Sequence, residues 1–387
     1  MADEEGLTRR NFVKGTAAAL TASLVVKSSF GASDAGSLEE KGPGDGDQVP
    51  RRPLGKTGVQ ISALGVGGYH LGSIKDEKES NELVARALDA GIDFFDCAWE
   101  YHDGISEERL GAALKGRRDK AFLMTKVCTH GRSKDVAMKQ LEESLRRLQT
   151  DHLDLWQIHE VVYYNDPDLI FAPNGAAEAL LAAKQQGKVR FIGFTGHKNP
   201  AIHLKMLSHD FPFDTVQMPL NALDATFKSF EQQVLPEAIK RGIAVLGMKS
   251  LGGSGEIASH GALTAQDGLR YAMSLPVATT ISGMDSLGVL DQNLQVARGF
   301  KPLTAEAMQS LRESARMFAA DGRYELFKTT TKYDGNVGRE QHHYPPTEKL
   351  PVYVAQALLP MHGRHPGKHF ADKNAHPDIG SPSSILH

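Results

Sequence analysis

The chain has 387 residues, 41% hydrophobic and 24% charged, with a formal net charge of -3. That composition is ordinary for a soluble globular protein and permits a large core, and the balance of charge gives no reason to expect nucleic acid as a partner. The length could hold two domains, but a (β/α)₈ barrel takes about 250 residues as one unit and would leave two extensions to explain.

The first extension is Thr8-Arg9-Arg10-Asn11-Phe12-Val13-Lys14 followed by the small, apolar residues 15–26. A basic start with an apolar run too short to span a bilayer stably resembles a twin-arginine export signal. Residues 1–31 are therefore expected to be a signal peptide, with a small-residue cleavage position near Ser29-Phe30-Gly31. The twin-arginine machinery would be a partner. The mature protein would lie in the periplasm or otherwise beyond the cytoplasmic membrane, with no stable membrane span. Residues 32–50, with Gly, Asp and Glu abundant between 33 and 47, read as a flexible linker.

From residue 51 the chain alternates strands and helices. A first strand near Leu64 precedes an amphipathic helix over 76–90, ended by Gly91. Ile92 to Asp96 is short, β-branched and aromatic, as expected of a strand buried in a parallel sheet, and it closes on a carboxylate. Tyr101 follows five residues later, and a helix is predicted over 106–115 with Ser106 as N-cap. The next strand, Phe122-Leu123-Met124-Thr125-Lys126, ends on a lysine. After a helix over 133–148, Leu153-Asp154-Leu155-Trp156-Gln157-Ile158-His159 ends on a histidine. Later strands at 189–194, 215–218, 243–248 and 278–282 alternate with helices at 200–208, 234–240 and 264–274, which makes eight strands and predicts a (β/α)₈ barrel.

Asp96, Lys126 and His159 close three successive strands, so with Tyr101 they converge at the C-terminal rim, where such barrels keep their active sites. A buried carboxylate calls for a nearby cation, and Lys126 provides one. A tyrosine ionises near 10 unperturbed; Lys126, held by Asp96, is expected to lower that value and make Tyr101 a proton donor, with His159 orienting the reacting oxygen. Cys97 and Cys128 also lie at neighbouring strand ends. Side-chain alternation turns them apart, so no disulfide is expected.

The order Asp96, Tyr101, Lys126, His159, in the contexts FFDCAWEY, FLMTK and LDLWQIHE, resembles the catalytic tetrad of the aldo-keto reductases. The likeness runs from about Arg51 to about Phe327. Arg52-Pro53-Leu54-Gly55-Lys56-Thr57-Gly58 with Leu64-Gly65-Val66-Gly67 is similar to that family's N-terminal hairpin and first strand. The resemblance implies an oxidoreductase that moves a hydride between a nicotinamide cofactor and a carbonyl or alcohol substrate such as an aldehyde, ketone or sugar. It also implies cofactor contacts at Gly68, Tyr69 and Asp96. Thr195 and Gln217 would hold the nicotinamide carboxamide, although Gly196 stands where the family usually has Asn. Met248 replaces the usual stacking aromatic, and Lys249, Leu251 and Gly253 would approach the pyrophosphate. Gly283, Gln292 and Asn293 would contact the adenine end. No Lys or Arg occurs between Gly283 and Asn293, and Asp285 would repel a 2′-phosphate, so NAD and NADP both stay open with the charge leaning to NAD.

A helix over 304–320 with Thr304 as N-cap is expected to cover the barrel wall. Residues 329–387 form the second extension, beyond a barrel domain at 51–328. Histidines accumulate there, including His342-His343, His362 and His365, but their spacing matches no standard ligand pattern, so a surface-hugging tail is expected rather than a metal site. The segment 324–333 could reach the rim. Trp99, Tyr69 and His130 are candidate pocket residues. The rival from another class is a non-catalytic barrel that keeps the cofactor as a ligand and acts as a sensing module.

Overall fold

The computed structural model describes residues 48–350. The chain divides into a main unit, Met1–Tyr353, and a C-terminal unit, Val354–His387, which lies outside the described residues. So do the expected signal peptide, nearly all of the linker, and the histidines from His362 onward.

Eight parallel strands close a barrel: β3 (Leu64–Gly67), β4 (Phe94–Asp96), β5 (Phe122–Val127), β6 (Leu153–Ile158), β7 (Val189–Thr195), β8 (Thr215–Pro219), β9 (Ala244–Met248) and β10 (Thr279–Gly283), with β10 pairing back to β3. A hairpin of β1 (Arg51–Pro53) and β2 (Gln60–Ser62) precedes them. Its Leu54 and Ile61 are fully buried against Phe94, Phe122, Leu155 and Leu246, so the hairpin plugs the N-terminal end. Phe94 and Phe122 stack at 5.3 Å inside the barrel. Alternation then sends Phe95, Leu123 and Trp156 outward into the larger core beneath the helices.

The predicted helices form close to their expected positions, whereas those at Ala176–Gln185 and Leu287–Ala297 were not predicted. Glu77–Asp89 is capped by Asp76, whose carboxylate accepts from Lys78 N at 2.9 Å, and Ala305–Ala319 by Thr304. One boundary differs. The helix expected to start at a Ser106 cap spans Ile105–Ala113 behind Gly104, which takes the cap position with φ 94. Ser106 is instead buried inside the first turn. His102 (φ 51) and Asp103 (φ 56) are left-handed as well, so three such residues run straight into the helix and leave no extended residue to cap it. Among the described residues no helix is long and apolar enough to cross a membrane.

The start of the second extension is not a loose tail. It carries a short helix, Asn336–Gln341, and is built onto the C-terminal rim. Its base is a wholly buried cluster in which Lys328 Nζ donates to Asp224 Oδ1 (2.6 Å), Phe227 O (2.8 Å) and Glu325 Oε2 (3.0 Å). Further along, Lys198 Nζ meets Asp334 Oδ1 at 2.6 Å, and Arg339 donates to Pro345 O at 2.7 Å. His342 Nε2 lies 2.9 Å from Asp166 Oδ1, and Arg132 contacts the other oxygen of that carboxylate at 3.0 Å, so the histidine ties the extension to a buried ion pair.

Candidate active site

A cavity of about 700 Å³ opens at the C-terminal rim between the strand ends and residues 332–337. Asp96, Tyr101 and His159 line it, and Lys126, only 1% exposed, lies directly beneath. Lys126 Nζ bonds Asp96 Oδ1, donates to Cys97 O at 2.8 Å, and reaches Tyr101 Oη at 3.3 Å. The strand parity expected from sequence thus brings the four side chains together.

The loop that carries Tyr101 is fixed from behind. Arg147 donates to Trp99 O at 2.9 Å and to the buried Glu107 at 3.2 Å, while Thr125 Oγ1 donates to Glu107 at 2.6 Å. Trp99 belongs to this support, because its indole N–H donates to Glu143 at 2.8 Å and it lies outside the cavity wall. His130 is likewise buried packing, whereas Tyr69 does line the cavity. Both cysteines are free: Cys97 packs outward in the core, and Cys128 Sγ donates to Glu100 Oε2 at 3.0 Å.

The electrostatics correct one expectation. Lys126 does not bring Tyr101 down: burial first, then Asp96, Glu100, Cys97 and Glu160, hold the phenol well above its usual value. Tyr101 therefore stays protonated across the neutral range. His159 is pushed down to about 3, chiefly by burial, so its ring is neutral. Its Nδ1 lies 2.6 Å from Glu100 Oε1, yet outside hydrogen-bonding geometry.

Several carboxylates in this wall were not singled out from sequence, among them Glu100 and Glu160. Glu100 precedes Tyr101, and Glu160 follows His159. Adjacent strand residues normally face opposite ways, but Glu160 has φ 48, and this left-handed turn puts both His159 and Glu160 on the cavity. Such a turn at a non-glycine residue costs on the order of 1 kcal/mol and persists only where its surroundings fix it. Arg132 does so, donating to His159 O (3.1 Å) and Glu160 O (3.0 Å) while paired with Asp166. The sequence signal was the polar pair His-Glu closing an apolar strand.

Thr195, Gln217, Met248, Lys249, Leu251, Gly253 and Gly283 also line the cavity. Among the described residues Gln217 Oε1 is buried without a partner and its Nε2 meets the Met248 sulfur at 3.5 Å, so the amide oxygen is free to pair with a carboxamide. A Cβ on Gly253 would strike the Tyr333 ring at 2.1 Å, which gives that glycine a close approach to fill. Three expected contacts are placed differently. Gly68 packs against the Asp96 carbonyl, where a Cβ would come within 2.3 Å, and does not line the cavity. Gln292 is exposed on the helix Leu287–Ala297, and Asn293 donates to Ser282 Oγ at 3.0 Å; neither reaches the wall, although Asp285 and Val289 do.

The sequence profile of the aldo/keto reductase family matches residues 63–257, half of the chain. Aldo-keto reductase YhdN of Bacillus subtilis is 32% identical over 207 residues, which cover 50% of this chain and 59% of that protein. A 6-dehydroglucose reductase of Novosphingobium aromaticivorans is 32% identical over 225 residues, 54% of this chain and 70% of that one. L-galactose dehydrogenase of Arabidopsis thaliana is 33% identical over 159 residues, 38% of this chain and 49% of that protein, so the matches span about half to two-thirds of these relatives' lengths. Among solved structures, aldo-keto reductase AKR11C1 of Bacillus halodurans in its holo form superposes with a TM-score of 0.59 at 26% identity, covering 69% of this chain and 97% of that one. With an eight-stranded parallel barrel and these matches, the chain belongs to the aldo/keto reductase family.

Proposed function

We propose that the protein is a nicotinamide-dependent oxidoreductase acting on a carbonyl or alcohol, and that it works outside the cytoplasm after twin-arginine export. The observation that carries the catalytic reading is the convergence of Tyr101, Lys126, Asp96 and His159 on one cavity. When bound, a nicotinamide dinucleotide supplies or takes up the hydride that side chains cannot. Gln217, with its unpartnered Oε1, and Thr195 are suited to its carboxamide, Met248 to the face of its ring, and Lys249 with the 251–255 turn to its pyrophosphate. Asp285 in the wall offers a 2′-phosphate no attraction, so no strong preference for NADP over NAD is expected.

In reduction, Tyr101 Oη gives its proton to the carbonyl oxygen; in oxidation it takes the proton back. Lys126, 3.3 Å away, holds a positive charge against the phenolate that would otherwise be opposed by burial and by the carboxyl groups of Asp96, Glu100 and Glu160. Asp96 keeps that ammonium in place. The neutral His159 ring can donate to the same substrate oxygen without introducing charge. Replacing Tyr101 with Phe keeps the ring and removes the proton, so kcat should fall by about 10²–10⁴-fold with cofactor affinity little changed. Steady-state kinetics beside a cofactor titration checks this, and near wild-type turnover would remove the mechanism. Detectable turnover in the same assay would decide against a non-catalytic sensing role.

A further inference from the structure

Hydride transfer with Tyr101 as the acid has no task for Glu160, yet the fold spends a left-handed residue and a buried arginine to aim it into the cavity. Glu160 Oε2 accepts from Gly335 N at 2.9 Å and lies 3.5 Å from His130 Nε2. No hydrogen bond among the described residues engages its Oε1, and the residue lines the cavity. The residue is 7% exposed, and a ligand atom of Glu160 lies within 4.8 Å of one of His159 and one of Glu100. A carbonyl oxygen held by Tyr101 and His159 would put the α carbon two bonds away, inside the same cavity that Glu160 lines.

We propose that Glu160 is a second acid/base, which moves a proton at the carbon next to the reacting carbonyl, so that the site also enolises α-hydroxy carbonyl compounds. This rests on the carbonyl reading of the cavity and extends it. The C–H bond α to the carbonyl breaks, and its proton goes to the Glu160 carboxylate. The electron pair of that bond becomes the C=C bond as the carbonyl π pair moves to oxygen, which takes the Tyr101 proton. Reversal returns a proton to carbon from Glu160 and one from oxygen to Tyr101, and nothing is oxidised or reduced.

The surroundings suit a base at neutral pH. Burial and Glu100 raise the Glu160 carboxyl to about 7, against the Gly335 N–H that donates to it. His130 and Lys249 also face the group. The base is the ionised form, so proton exchange should increase as pH rises through about 7.

The experiment incubates the whole protein with dihydroxyacetone or glyceraldehyde in D₂O with oxidised cofactor, which fills the site without supplying hydride, and follows deuterium at the α carbon by NMR. A parallel sample with reduced cofactor measures reduction. The expected result is carbon-bound deuterium at least tenfold above buffer. The ratio of exchange to reduction should fall at least tenfold in Glu160→Gln and recover in part in Glu160→Asp, whereas Tyr101→Phe should lower both rates. Reduction with exchange at the buffer rate in the wild type overturns this inference and leaves the oxidoreductase intact. Neither reduction nor exchange with both compounds overturns the carbonyl reading and the inference with it.

Discussion

Lys249 sits with its ammonium 4.7 Å from the centre of the Tyr333 ring and 5.3 Å from that of Phe327. Desolvation in this aromatic corner brings its pKa down to about 8, against the pull of Glu160 and Glu256. A bound pyrophosphate favours the charged form, so the sign is fixed: below about 8 the cation is already present, and above it binding must take up a proton. The dissociation constant of NADH should therefore rise about tenfold per pH unit above 8, until the raised value in the complex is reached. Fluorescence titration between pH 7 and 9 checks this, and Lys249→Met should bind more weakly with a flat profile. The position of Lys249 beside glycines was legible in the sequence, as were Asp96, Lys126 and His159, because a charged or polar side chain closing an apolar strand is a local pattern. The aromatic rings that tune Lys249 come from residues far along the chain. Glu160 was missed for a different reason: its direction depends on one backbone angle held by Arg132, and strand alternation predicts the opposite face.

At the scale of elements, the eight strands and most helices follow from period and caps, and that is why the barrel could be read in advance. The segment 324–350 could not, since its contacts are polar and specific rather than periodic. Its base depends on Lys328, which neutralises Asp224 and Glu325 in a site none of them shares with water. Burial pushes Glu325 up to about 7 even with the lysine present. Lys328→Met removes the cation and leaves two buried carboxylates, a change expected to cost about 3–5 kcal/mol. The loss should be local, because the barrel strands do not depend on this cluster. Hydrogen exchange should quicken from 324 to 350 while β4 to β6 stay protected, and cofactor release should quicken with it. Uniform loss of protection across the barrel would show instead that the cluster supports the whole fold.

At the scale of the whole molecule, the barrel is plugged below by Leu54 and Ile61, and its mouth is narrowed above by residues 332–337. Tyr333 Oη donates to Glu256 Oε1 at 2.7 Å and packs over Gly253, joining this segment to the turn proposed to hold the pyrophosphate. A ligand seated under that contact would be held in part by this segment, which would favour slow release. Arg9 and Arg10 supply the second half of the argument, although they lie outside the described residues. A twin-arginine signal serves proteins exported already folded, and the compartment beyond the membrane has no ready pool of free dinucleotide. The proposal is therefore that the cofactor travels inside the folded protein, with nanomolar or tighter affinity, about -12 kcal/mol or more favourable. A captive cofactor must be reset in place, so one substrate reduces it and another oxidises it in alternation. The exported form, purified without added nucleotide, should carry close to one dinucleotide per chain by mass spectrometry, which also identifies it as NAD or NADP. It should turn over a paired alcohol and carbonyl with no cofactor supplied. Protein that is empty as isolated, and active only with millimolar free cofactor, would falsify captivity and reopen the question of whether Arg9 and Arg10 direct export.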